Sequence, residues 1–534
     1  IPVGLLNSTM STVQFQDNAN FFSSELSLTY PRNYNFAGTL SNRASFQVPA
    51  AERYLEIASF NTNGQQARLY DKTNGKVYLG SESGGVVKFY FDPSATIRDM
   101  YLTNVNAIAD VINFKSIQFR NYATSANQGN YIILSHKDYI NASPSYVNDF
   151  KTYRNSMSGG SYQSVVSDVT ELYEQFGFGF EYHPMAIKRF ISYALGTWTT
   201  KPEFLFIIGK GVGYTAYRDY LNTASQYTYS PIPTWGEPGS DNLFSSYNNS
   251  QKPVLATGRL SAWNNQEIAD YLEKVKAYEG AIKPATTPTV ASELWKKKAL
   301  HVAGSTELGL QQYTLVPSLN ACATIFADSL TGGMVTTLKK NSTDPIDQTN
   351  NQEVDSIVNK GVRHLTFYGH ASSFGFDYNL NSPDDYNSNP RFMQFNAFGC
   401  NVASIFSLSQ SKTVSERYVR SVNGGSINMI AGNNTGWTNV LTPYMSEFYK
   451  SFSYKSYGKT LGEHYRDNIV RFQDANPEGT FLDIHTQCLL YQGDPGLISF
   501  SPENPDYVVE TPGLTSLPAE VTTAMDTFTL RAVV

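Results

Sequence analysis

Of three cysteines in the chain, one stands where a thiol could react. Cys400 follows Gly399 at the end of the run Arg391 to Phe398, and His370 follows Gly369 at the end of Arg363 to Tyr368. Both runs read as strands. The separation of thirty positions between the imidazole and the thiol leaves room for one loop joining two neighbouring strands. In an open α/β sheet such strands deliver their polar residues to one edge. A thiol beside an imidazole is the minimum for nucleophilic catalysis. The imidazole accepts the thiol proton and later returns it to a leaving amine. A glycine before each residue would let the backbone turn sharply. Cys322 and Cys488 read as ordinary buried core thiols.

The surrounding elements fit that placement. Residues 126 to 505 alternate short apolar runs with helical patterns. The runs are Tyr131 to Ser135, Val165 to Val169, Phe204 to Ile208, Leu300 to Gly304, Val362 to Tyr368, Phe392 to Phe398 and Ser426 to Ile430. Helices are expected at Met185 to Leu195, at Asn264 to Gly280, and near 412–421, 441–452 and 458–472. The second has a capping box of Asn264 with Glu267 and an end at Gly280. This alternation implies α/β architecture with a mostly parallel sheet. Residues 1–125 lack a long amphipathic helix and read as all-β. In that region the turn Lys72 to Gly75 joins two strands, and Val86 to Phe91 is a third. The α/β block divides near Lys283 to Pro288 into 126–288 and 289–505. Residues 506–534 read as the start of a truncated β-domain of immunoglobulin-like type.

Composition narrows the function classes. The 534 residues are enough for three or four domains at about 150 residues each. The net charge of −6 offers no basic field for a phosphate backbone, so nucleic-acid binding is a poor expectation. Three scattered cysteines make no disulfide framework. No apolar stretch is long enough for a transmembrane segment. The start at Ile1 has no secretory-leader pattern, and the last residues read as mid-strand, so a fragment of a longer protein is expected. Only 16% of residues are charged, with 36 Tyr and 32 Phe. A neutral, aromatic surface of this kind is common outside the cytoplasm.

Tyr368-Gly369-His370-Ala371-Ser372 followed by Phe398-Gly399-Cys400-Asn401 resembles the His and Cys boxes of the gingipain-like cysteine peptidases. These are bacterial relatives of caspases and legumain, and they include the sortases of the type IX secretion system. The resemblance runs over about residues 126–500. It takes in Phe204 to Gly209, Ile232-Pro233-Thr234, Ser240-Asp241-Asn242, Ala256 to Leu260, Gly424 to Ile427 and Leu489 to Pro495. It implies a caspase-like or gingipain-like α/β fold in two subdomains, with Cys400 as nucleophile and His370 as general base and acid. Family members orient the His with a carboxylate at the end of an earlier strand, and Glu307 occupies that place. A Glu at a helix start is the alternative reading of that residue. The implied oxyanion hole consists of the Cys400 and Ala371 amides. Relatives usually have Gly where this chain has Ala371, which leaves a degenerate scaffold or binding protein as the second reading. The implied partners are a protein or peptide substrate and components of type IX secretion. The implied location is extracellular or at a bacterial outer membrane. Hydrolysis and transpeptidation both fit.

The chemistry requires no cofactor. Structural calcium is an expectation from relatives, with Asp377, Asp384 and Asp385 in one loop and Asp241 in another. Gly209-Lys210-Gly211-Val212-Gly213 superficially resembles a phosphate loop but reads better as a strand-to-loop turn. Residues Leu308 to Asn320 contain no acid that would select a basic substrate side chain.

Overall fold

The structure, a computed structural model, describes residues 33–37, 42–104, 116–213, 216–217, 227–247, 250–283, 285–330, 332–341, 351–477, 479–503 and 511–533. Ile1, Pro284 and residues 505–510 and 534, used above, lie outside them. The chain forms two units, Ile1–Ile117 and Gln118–Val534.

Antiparallel strands build the first unit. Arg43–Val48, Arg98–Asn104, Ala67–Asp71 and Lys76–Leu79 form one sheet, and Tyr54–Ala58, Val86–Tyr90 and Ser81–Ser83 another. The expected turn closes where Asn74 N–H donates to Asp71 Oδ1 at 2.9 Å and Gly75 takes φ +66°. Alternate side chains, among them Leu55, Ile57, Leu69, Val87, Phe89 and Leu102, make the core.

A ten-stranded sheet dominates the second unit. Its strands are β1 Tyr131–Ser135, β2 Ser164–Asp168, β3 Phe204–Ile208, β4 Ala256–Leu260, β5 Lys298–Gly304, β6 Met334–Lys339, β7 His364–Gly369, β8 Met393–Phe398, β9 Ser426–Gly432 and β10 Leu489–Gln492. The spatial order is β6-β5-β7-β8-β9-β10-β4-β3-β1-β2. All neighbours run parallel except β9 and β10. The two expected subdomains therefore contribute to one sheet. Strands β1, β3, β8 and β9 are buried throughout, as helices on both faces require. This explains why they read as continuous apolar runs.

The packing differs from expectation in several places. The second unit begins at Gln118, ahead of the boundary at 125, because Tyr122 stacks on Trp198 and packs against Phe190. The helix expected to stop at Gly280 continues through Asn265–Ile282 to a cap at Lys283. Its capping box is only half formed. Asn264 accepts from Glu267 N–H, but the Glu267 carboxylate accepts from Trp263 N–H. The edge strand β6 was not legible as an apolar run because its side chains are at least partly exposed along its length. The tail shows one hairpin of Leu514–Leu517 with Thr529–Ala532.

Three buried histidines lie under the β5–β7 half of the sheet. His301 bonds Tyr449 Oη at 2.6 Å, His364 stacks on Phe452, and His464 lies beside Ser451. Burial holds His301 down to about 4, His464 down to about 3 and His364 well below its ordinary range. An unfolded histidine titrates near ~6.5. Between pH ~6.5 and 4 the unfolded chain takes up these protons and the folded chain does not. Stability is thus fully present above that window and falls by about 1.4 kcal/mol per pH unit per histidine within it. The urea midpoint should be lower at pH 4.5 than at pH 7.5, with a shallower fall in His301→Gln. Equal slopes in the two proteins would contradict this.

Candidate active site

Three glycines form a row across the ends of β5, β7 and β8. Gly304 pairs with Gly369 in register. Tyr368 pairs with Phe398, which sets Gly369 beside Gly399 one step further. A Cβ on Gly369 would lie 1.8 Å from the Gly304 carbonyl oxygen. On Gly399 it would lie 2.8 Å from both the Gly369 carbonyl oxygen and Ala371 Cβ. On Gly304 it would lie 2.7 Å from the Asp377 carbonyl oxygen. Side chains are excluded from this row, so the three strand ends converge. His370 and Cys400 are the next residues on adjacent strands and leave the sheet at the same edge.

After Gly369, at φ +157°, the chain turns out of the sheet. His370 N–H donates to the Gly304 carbonyl at 2.9 Å. Residues 370–377 then form a hairpin in which Ala371 pairs with Phe376 and Asp377 N–H donates to the His370 carbonyl at 2.8 Å. The His370 ring is half exposed, and its Nε2 stands 3.8 Å from Glu307 Oε1. Glu307 opens the helical turn at Leu308, yet its side chain accepts no bond from that turn. The residue starts a helix while its carboxylate faces the imidazole. With 70% of its side chain exposed, this is a solvated pair. Ala371 is not among the non-glycine residues with positive φ, so alanine carries no strain there.

Cys400 differs from the other thiols in its exposure. Burial pushes Cys322 up to about 12 and Cys488 up to about 11. Both are buried, whereas Cys400 is partly exposed. Gly436 N–H donates to Cys400 Sγ at 3.3 Å. The sharp turn at the thiol occurs at Asn401, φ +57°, and not at Gly399, whose role is close packing. Asn tolerates that conformation better than most side chains. Asn401 is held from two sides: its N–H donates to the Asn434 carbonyl, and its carbonyl accepts from Ser373 Oγ at 3.1 Å. Ser373 also ties the His370 hairpin to the following helix, since its carbonyl accepts from Val414 N–H at 2.7 Å.

The loop after Cys400 buries Val402, Ala403 and Ile405. Lys210 Nζ donates to the Ile405 carbonyl and lies 3.5 Å from Glu416. Lys210 is 1% exposed, so the expected strand-to-loop turn holds a structural cation and cradles no phosphate. Desolvation lowers the Lys210 pKa, and Glu416 partly opposes this. Asp377 is committed to Lys340 and to Thr306 N–H, and Asp241 to Arg259 and Thr234. Asp384 and Asp385 lie in a short helical turn. Among the described residues no group of three or more His, Cys, Asp or Glu could hold a metal.

Sequence reasoning missed Gly436, Ser373 and the part played by Asn401. Each acts through backbone geometry that spacing does not announce. Exposed Trp437, next to Gly436 in the chain, contacts Phe481.

Peptidase family C25 matches residues 124–498 of the chain. Among solved structures, the Arg-specific cysteine proteinase gingipain R superposes with a TM-score of 0.53 at 13% identity, covering 72% of this chain and 80% of that one. The complex of the Porphyromonas gingivalis RgpB pro- and mature domains gives 0.53 at 13% identity, covering 69% and 79%. These likenesses establish a gingipain-like fold. No curated protein matches the sequence.

The contrast among the thiols sets an expected labelling pattern. Iodoacetamide on the folded protein should modify Cys400 alone, read by peptide mass mapping. Denaturation should add Cys322 and Cys488. Native labelling of either buried thiol at the rate of Cys400 would contradict the assignment.

Proposed function

Because the chain belongs to peptidase family C25, we propose that it is a cysteine endopeptidase with Cys400 as nucleophile and His370 as general base and acid. The observation that carries this reading is the register of β7 and β8, which sends the imidazole and the thiol from adjacent strands to one edge. Glu307 faces Nε2, which leaves Nδ1 for the thiol proton. The carboxylate, 3.8 Å away, then orients the ring. In the first step His370 takes the Cys400 proton and the sulfur adds to the scissile carbonyl carbon. The C–N bond breaks as His370 protonates the departing amine. Water, deprotonated by His370, adds to the thioester and releases the acid and the thiol.

The developing oxyanion needs fixed donors. The Ala371 and Cys400 amides are the proposed pair. His370 N–H points to β5, and Asp377 bonds the His370 carbonyl. Backbone alternation therefore turns the Ala371 amide toward β8, the strand that leads to Cys400. The unstrained φ of Ala371 supports the enzyme reading over the scaffold reading.

The substrate is a protein or peptide, and the chemistry needs no cofactor. The proposed setting is processing or sorting of secreted proteins at a bacterial outer surface, of the type IX sortase kind. The resemblance of the His and Cys boxes and the weakly charged, aromatic composition support it. An acceptor amine in place of water would make the same thioester a transpeptidation intermediate. No described helix is long and apolar enough to cross a membrane.

Cleavage of an unstructured protein such as casein should fall by about 10³-fold or more in Cys400→Ala and in His370→Ala with the fold retained. Glu307→Gln should lose about tenfold, because an exposed pair contributes modestly. Wild-type turnover in Cys400→Ala would overturn the nucleophile.

A further inference from the structure

Asp377 lies at the base of the His370 hairpin, seven residues beyond the imidazole. Its groups connect three strand ends. Its N–H donates to the His370 carbonyl at 2.8 Å. Its Oδ2 accepts from Thr306 N–H at 3.0 Å, one residue before Glu307. Its Oδ1 meets Lys340 Nζ in an ion pair. The Lys340 side chain is fully buried, and its backbone N–H donates to the Ala303 carbonyl at 3.2 Å. Asp377 is itself 17% exposed, so the pair is largely shielded from solvent.

Glu307 needs such help. It lies in a short connection between β5 and the helix that follows, and among the described residues its carboxylate meets only His370. Its backbone is fixed one residue earlier by Asp377 and locally by Ser305 Oγ, which accepts from Glu307 N–H at 2.9 Å. The residue that sets the His370 backbone therefore also sets the backbone leading to Glu307. A shift of either loop alone would open a contact that already measures 3.8 Å.

We propose that Asp377, anchored by buried Lys340, is a positioning residue that clasps the His370 and Glu307 backbones together and so holds the carboxylate on the imidazole. This rests on the proposed roles of His370 and Glu307. It also gives the acidic loop a use other than calcium binding. Asp377 touches no reacting atom and acts through the two residues it aligns. Loss of its side chain frees the Thr306 amide and removes a carboxylate from the buried Lys340 ammonium.

The test measures the rate of Cys400 alkylation by iodoacetamide against pH, alongside casein cleavage. Alkylation reads the thiol–imidazole–carboxylate arrangement even where turnover is absent. Asp377→Ala should slow alkylation at neutral pH by about as much as Glu307→Gln, and should change the shape of the pH profile in the same way. The double variant should be no slower than the slower single variant. Asp377→Asn keeps an oxygen for Thr306 N–H while losing the charge opposite Lys340, so its rate should lie between wild type and Asp377→Ala. It also serves if Asp377→Ala folds poorly. Ile191→Val, in the remote helix Met185–Thr197, controls for general loss of stability and should keep the wild-type profile. Wild-type alkylation in both Asp377 variants, or losses that multiply with Glu307→Gln, would overturn the clasp. Absence of casein cleavage by the wild type would instead overturn the peptidase reading and leave the alkylation comparison intact.

Discussion

Everything at this edge of the sheet depends on three backbones approaching more closely than any side chain permits. Gly304, Gly369 and Gly399 share one row across β5, β7 and β8, and a single added Cβ at Gly369 would overlap a neighbouring carbonyl. Catalysis by two separate side chains demands positional accuracy of a fraction of an ångström. The row supplies it by leaving the strand ends no slack. The residues immediately beyond it, His370 and Cys400, inherit that placement from the sheet. Their loops then need to fix only direction.

Direction comes from polar groups buried among apolar neighbours. Lys210 holds the loop after the thiol through Ile405 and Glu416, and Lys340 holds the His370 side through Asp377. A buried ammonium is costly unless it is fully partnered, so each fixes its surroundings in one arrangement. The contact between His370 and Glu307 is solvated and loose by comparison. The site therefore combines rigid backbones with an accessible imidazole and thiol, which suits a surface that admits a polypeptide.

Much of this was legible in the sequence because parallel strands buried on both faces carry a distinctive signal. Tyr131–Ser135 and Phe204–Ile208 match their apolar runs residue for residue. The Gly-His and Gly-Cys pairs at strand ends point to one edge by their spacing alone. Edge strand β6 escaped because exposure on one side dilutes its pattern. Gly280 misled because glycine inside a helix costs only about 1 kcal/mol, and packing by Tyr278 and Ile282 on either side of it carries the helix through. The partner of Asp377 was hidden, since a sequence shows carboxylates and not the lysine that meets them. Asn401 could not be read as the turn residue, because the preceding glycine offered the simpler explanation.

The most direct measurement of the central claim is a crystal structure of the protein treated with a peptidyl aldehyde. The account predicts a carbon–sulfur bond at Cys400, the His370 ring within hydrogen-bond reach of that sulfur, and the hemithioacetal oxygen facing the Ala371 and Cys400 amides. A bond at another residue, or an imidazole turned away from the sulfur with the oxygen in solvent, would contradict it.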